Sequence, residues 1–600
     1  MAGFFITAAV LVVALLIALV AVLVRAITRG RAEPPSESAI PGDRTWGPER
    51  LREGLIGWVG ERINPIVLKE LRQAVRSRFI ISVLMLLLAV QVIVLLMFVM
   101  LDENLGRRGG EEVFIVLYSV LTGVSLLLVG AYAGVRLSSE LSGQNVDLMF
   151  ITTLQPRSIV MGKILSAALL ALVMYSTCMP FMSFTYMLRG IDLPTIFTSL
   201  GFSFLCVLLA ICVATMLGSI RGAVMTKLLM MLLFLGALIP LGFLCAVPLL
   251  LTRAGMTRVE YWAMLGSLAG LEVLVMGLFA VLGIAMVKPP VANRSMAVRI
   301  YLSAMWLLSG VLAAVWTIKT RDRDMIDVWA SVWLMVLCVA MPIGISERDS
   351  LPMRIRVTIP RRRVLRWLTF PLFAGSAGGM VWCVLMAMLT VAGVQSVMGL
   401  GRAITGVATS GFVPSYYRNG WFGLDGASHA GAAAAYVFCA SVIAGLLTRV
   451  IAPASRKFAW VGVLILVGLL SMLPVICYGS SYSSWGSLRL ISPVFIVVDK
   501  VGPTDMIPVL IAALILSIVC FPLMLKQFFA FERPTAPPAL PPEAADGGPA
   551  DGGIAEAGTQ QAGVIAAGVV AAGAPAAGSG AGDSAADQAG DSESSEPPTL

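Results

Sequence analysis

Charge is scarce in this chain. Asp, Glu, Lys and Arg make up only 13% of its 600 residues, against roughly 25% in a soluble domain. Histidine occurs once, at His429, and the nine cysteines (Cys178, Cys206, Cys212, Cys245, Cys338, Cys383, Cys439, Cys477 and Cys520) form no CxxC pair. All nine fall in or beside apolar runs, so a metal centre and a disulfide framework are disfavoured and cysteine reads as small apolar filler. No G-x-x-x-x-G-K-[ST] stretch exists, so the chain brings no phosphate loop of its own. One histidine allows no nucleophile–base–acid set. The chain is therefore not expected to be an enzyme, and no catalytic residue, metal ligand or cofactor of its own is assigned. Short alternating strands of the barrel type are also missing.

What is abundant is apolar sequence: 58% of residues are hydrophobic and the mean hydropathy is +0.90. A membrane span needs about 20 apolar residues. Residues 4–24 supply one such run, with arginines only after it. It is too long for a cleaved signal segment and has no basic start, so it reads as a retained span. Further runs occupy 79–101, 113–135, 164–188, 195–217, 228–251 and 263–287, then 300–317, 328–345, 368–393, 431–448, 459–478 and 506–525. The fold class expected is an all-α polytopic membrane protein with about 13 transmembrane helices.

This divides the chain into an anchor at 1–24, a cytoplasmic linker at 25–62, a six-span core at 63–287, a second six-span bundle at 288–532, and a tail at 533–600. The tail is Ala, Gly, Pro and acidic residues without an aromatic, a composition that cannot bury enough surface to fold. With the 136–163 segment placed inside, 31 of the 43 Lys and Arg residues fall in inside segments. The positive-inside rule thus puts the amino terminus outside and the tail in the cytoplasm of a cell (inner) membrane. The net charge of +9 is placed by that rule and implies no nucleic acid.

Two stretches carry a functional signal. Asn64-Pro65-Ile-Val-Leu-Lys69-Glu70-Leu-Arg72 has an N-cap residue followed by proline at the first helical position. The helix it predicts places Ile66, Val67, Ala74 and Val75 on one side, with Lys69, Arg72, Arg76 and Arg78 facing anionic headgroups. The second stretch, Glu140–Lys163, lies between two spans. Its first half reads as a short amphipathic surface helix that Gln155-Pro156 breaks, and a second helix starts after Pro156. Glu140 and Asp147 are about two helical turns apart and share a side.

The pattern Glu140, Gly143, Asp147-Leu148, Thr153, Pro156, Ile159, Gly162-Lys163 resembles the cytoplasmic coupling loop of type-2 ABC exporter permeases, and Asn64–Arg78 resembles the elbow helix before their first core span. Gln144 and Met149 depart from the family's usual residues. The likeness extends over about residues 60–287, less than half of the chain. It implies an export pathway powered by a separate ABC ATPase subunit that binds the ATP, docks under 140–163 and pairs with Glu140 and Asp147. It also implies a second six-span bundle, supplied by a homodimer partner, a second permease or this chain's own second half. An ATP-independent secondary carrier and a non-transporting membrane scaffold are the alternatives.

Two further features stand out. Ser139-Glu140 precedes Pro156-Arg157 much as Ser346-Glu347 precedes Pro360-Arg361, and Thr153-Leu-Gln-Pro-Arg parallels Thr358-Ile-Pro-Arg. These fit a degenerate repeat or two unrelated basic connectors equally. Glu272 sits near the middle of a span, where a carboxylate either lines a pathway or hydrogen-bonds a neighbouring helix.

Overall fold

The computed structural model describes residues 65–101, 109–141, 155–222, 224–255, 257–289, 292–320, 323–405, 424–451, 459–478 and 503–532. The anchor at 1–24, the linker, Asn64, residues 142–154 and the tail lie outside them.

The described chain is helical with no strand, an all-α polytopic membrane protein. Eleven of its helices are long and apolar enough to cross a membrane, and a shorter apolar helix covers Ala459–Met472. α1 (Pro65–Val75) precedes the first long helix, α2 (Arg78–Leu101). α3 (Gly109–Val124) passes through a single π-helical turn, Ser125–Val129, into α4 (Gly130–Glu140). α5 (Pro156–Met187) and α6 (Leu193–Gly218) follow, then α7 (Val224–Cys245), α8 (Val247–Arg253) and α9 (Arg258–Val287). The second half contains α10 (Ser295–Thr320), α11 (Asp324–Ile345), the short α12 (Met353–Arg356) and α13 (Arg363–Thr369), α14 (Ser376–Thr405), α15 (Leu424–Ile451), α16 (Ala459–Tyr478) and α17 (Pro503–Ala530).

α6 is the axis of the first half. Cys206, Val207, Ala210 and Ile211 are fully buried, and α4, α5, α7 and α9 all pack against it. The α4 contact is close because Gly130 and Gly134 stand one turn apart. A Cβ on Gly134 would meet Ala214 O at 2.7 Å. Small residues four apart let two backbones approach, which is how helices associate where lipid removes the hydrophobic drive.

Two segments read as single spans are interrupted. The 228–251 run breaks at Ala246 into α7 and α8. Pro248 has no N–H for the carbonyl four residues back, and the Tyr118 hydroxyl donates to Cys245 O at 2.8 Å where the helix stops. The 368–393 run starts late. Arg363–Thr369 and a 3-10 turn at Phe370–Leu372 precede a bend at Gly375, whose φ of +147° side-chain-bearing residues rarely adopt. The long helix begins only at Ser376.

The second half packs around α11. Trp329, Trp333, Leu337 and Met341 are buried there with Trp382, Cys383 and Met386 of α14 and Ala430, Ala434 and Val442 of α15. Ser309 of α10 accepts hydrogen bonds from both Trp329 Nε1 and Trp333 Nε1, at 3.1 and 3.0 Å.

Candidate functional site

α1 buries Val67, Leu71 and Ala74, with Glu70 between them. This stripe, spaced by four and three, packs against α5. Val67 and Ala74 are the two members of the expected apolar side that it contains. α1 is seated on α5 along this stripe, with Lys69, Arg76 and Arg78 exposed and Arg72 half-buried.

Glu70 is the reason for that seat. Its carboxylate takes Lys163 Nζ of α5 at 3.0 Å on Oε1 and Arg136 Nε of α4 at 3.4 Å on Oε2. Lys163 is 3% exposed and also holds Glu140 at 2.9 Å. Arg136 further donates to Gln73 on α1 and to the Tyr132 hydroxyl. Two carboxylates and two cations therefore close one network joining α1, α4 and α5. An isolated buried ammonium would be costly, and two carboxylates within 3 Å satisfy this one.

The stretch singled out in the sequence is thus pinched at its base. Glu140 ends α4, Lys163 lies two turns into α5, and residues 142–154 run between them. Pro156 opens α5 behind an extended Gln155, as the sequence predicts. Ile159, Gly162 and Lys163 are buried, and Val160 packs with Leu137, Leu141 and Val287 beneath the network. Glu140, a third exposed, holds Lys163. Gly143, Asp147, Leu148, Thr153 and the surface helix expected around them lie outside the described residues.

A second charged cluster stands at the corresponding end of the second half, where sequence reasoning assigned nothing. Glu347, just after α11, takes Arg299 Nη2 at 2.7 Å, the Ser295 hydroxyl at 2.7 Å and the Gly375 backbone N–H at 2.7 Å. Arg299 is itself buried and donates to the carbonyls of Pro371 and Phe373. Gly379 leaves room for it, since a Cβ there would lie 2.8 Å from Arg299 Nη2. Asp349 accepts from Ser376 at 2.6 Å and faces Arg449 at 3.4 Å. In both halves a glutamate at the exit of one long helix reaches the chain that forms the next. The Ser-Glu pairs at 139–140 and 346–347 were the available signal. Burial together with Arg221 and Arg348 pulls the Arg294 guanidinium below its ordinary pKa.

Glu272 lies on α9, buried against α6. Its carboxylate meets the Cys206 thiol and has no nitrogen or oxygen partner among the described residues. It lines neither of the two apolar cavities described in the second half and at its junction with α9. Among the described residues no group of His, Cys, Asp and Glu could hold a metal ion.

Comparisons with protein-family models, with curated proteins and with solved structures find no match to this chain.

Proposed function

We propose that this chain is the membrane-spanning permease subunit of an ABC exporter in a cell membrane, driven by a separate ATPase subunit that binds the ATP. The observation that carries this reading is the closed base of the 142–154 segment, with Glu140 on Lys163 at 2.9 Å and Lys163 on Glu70 at 3.0 Å. A partner pressing on that segment would load α4 and α5 together, and α1 with them. Nucleotide-driven movement could then reach two long helices as one displacement. In this scheme 142–154 faces the cytoplasm, the amino terminus is outside, and the second six-span bundle comes from another copy or from α10–α17. The fit of Gly143, Asp147-Leu148, Thr153 and Pro156 to the exporter coupling pattern supports the same reading.

The test uses the full chain co-expressed with a stand-alone ABC ATPase encoded beside its gene. Asp147→Lys changes the segment without touching the Glu140–Lys163 pair. The variant should insert at normal levels but lose co-purification of the ATPase and the ATP hydrolysis of the assembled complex. Close interface charge pairs are worth on the order of a few kcal/mol, enough for that loss. Wild-type behaviour in both assays would put the secondary-carrier or scaffold reading ahead.

A further inference from the structure

The connector between α11 and α14 carries six arginines, Arg354, Arg356, Arg361, Arg362, Arg363 and Arg366, and has no acidic residue from 351 to 375. Among the described residues one of the six has an ion pair: Arg366 Nη1 meets Glu532 at 2.9 Å. Arg354, Arg361, Arg362 and Arg363 are exposed, and Arg356 is half-buried with no partner for its Nε. Five cations are thus left to a counter-charge from outside the described chain.

The segment that carries them is fixed. Ile355, Ile359, Phe370 and Phe373 close a small core with Phe531, which follows the end of α17. The rings of Phe370 and Phe373 stand edge-on to Phe531 at 5.5 and 5.2 Å. The connector is therefore tied to the ends of three long helices, α11 at Ile345, α14 at Ser376 and α17 at Ala530. The 22 residues of α11 span about 33 Å at a rise of roughly 1.5 Å each. A hydrocarbon core is about 30 Å thick, so the connector stands at the level of the headgroups.

It also exposes large apolar side chains there. Val364, Trp367 and Leu368, at i, i+3 and i+4, share one side of α13. They are 77%, 61% and 71% exposed. Trp367 meets Phe528 of α17 edge-on at 6.0 Å, and the neighbouring Phe529 is exposed as well. Tryptophan at a helix end is the residue of the interfacial belt.

Charge and apolar surface together select the partner. A soluble polyanion would answer the arginines and leave Val364, Trp367 and Leu368 in water. A neutral bilayer would answer the apolar trio and leave the arginines without counter-charge. An anionic bilayer surface answers both, as it does for an amphipathic segment lying in the interface plane.

We propose that residues 351–372 form a docking surface for anionic phospholipid. Phosphates meet Arg354, Arg361, Arg362 and Arg363, while Val364, Trp367 and Leu368 enter the acyl boundary. The surface uses no cation committed to the two buried clusters and stands independently of the ATPase reading.

The test is contact quenching in vesicles. Full-length protein is reconstituted into mixed phosphatidylcholine and phosphatidylglycerol, with a small, equal fraction of bromine-labelled chains on one lipid or the other. Trp367 emission is read as the difference between the wild type and Trp367→Phe. Both lipids should quench it, with labelled phosphatidylglycerol about fivefold more effective per molecule, the enrichment that one arginine gives at an anionic surface. Arg361→Gln, Arg362→Gln and Arg363→Gln together should bring the two lipids close to parity. Lysine at the same three positions should keep the preference, because the charge is retained. The three side chains are exposed, so thermal unfolding should not move in either variant. If the glutamine variant does not fold, Arg354→Gln is read for a partial loss. A Trp367 that neither lipid quenches overturns the proposal, and its shielding from aqueous iodide would then identify a protein cover. Equal quenching by the two lipids in the wild type overturns it too. So does an undiminished preference in a folded glutamine variant, or a lost preference in the lysine variant.

Discussion

Glu70 and Lys163 lie 93 positions apart in sequence and meet at 3.0 Å, with neither side chain more than 6% exposed. The contact joins the short α1 to the long α5 through opposite charges that water barely reaches. It makes α1 part of the bundle. Four consequences can be measured.

Lys163→Met should destabilise the protein strongly, because it leaves the buried Glu70 with only the longer Arg136 contact. Removing one partner of a buried pair costs about 3–5 kcal/mol, whereas replacing both with apolar residues is often neutral. Thermal unfolding in detergent should therefore show a large drop for Lys163→Met and substantial recovery in the Glu70→Leu, Lys163→Met double variant. Equal losses in single and double variants would mean that the pair contributes no coupling.

Gly134→Leu should separate α4 from α6, since even a Cβ would lie 2.7 Å from Ala214 O. Overpacking of this kind costs about 1–3 kcal/mol. Gly123, with open space around its Cβ position, is the control, and Gly123→Ala should unfold at nearly the wild-type temperature.

Glu272→Leu should leave stability unchanged or raised by about 1 kcal/mol, because a buried carboxylate that meets only a thiol gives way to an apolar side chain. The same variant separates stability from function. If the carboxylate serves the pathway, transport falls while the unfolding temperature holds or climbs. A marked loss of stability would reveal a partner for the carboxylate.

Single cysteines introduced at 150, 222, 293 and 360 should react with impermeant reagents only from the cytoplasmic side, and those at 107, 256 and 418 only from the opposite side. Finding 150 and 360 on different sides would break the alternation of the long helices.

The long helices were legible in the sequence because hydropathy over about 20 residues decides whether a segment can enter a bilayer. α6 begins at Leu193 and ends at Gly218, within two residues of the run read at 195–217. Pro156 was equally readable, since proline at the first helical position is local chemistry. The charged network was not. In a one-dimensional reading Glu70 sits among Lys69 and Arg72 and looks solvated, and nothing local announces a lysine 93 positions away. Glu347 was hidden in the same way: its partners Arg299 and Gly375 come from either side of it in the chain. The break after Cys245 lay inside a continuous apolar run, where hydropathy gives no sign of a proline's missing donor.

That break has a solvent problem built into it. Helix ends in a soluble protein are finished by water, and the bilayer interior offers none. Here the phenol of Tyr118 supplies a donor at the helix end, reaching Cys245 O at 2.8 Å and Ser199 O at 3.2 Å. One hydroxyl proton must serve two carbonyls on different helices. The corner between α7 and α8 therefore exists on loan from α3: if α3 slides, the corner must straighten or find another donor in oil. The bend thus keeps its hydrogen bond only while α3 holds its present register.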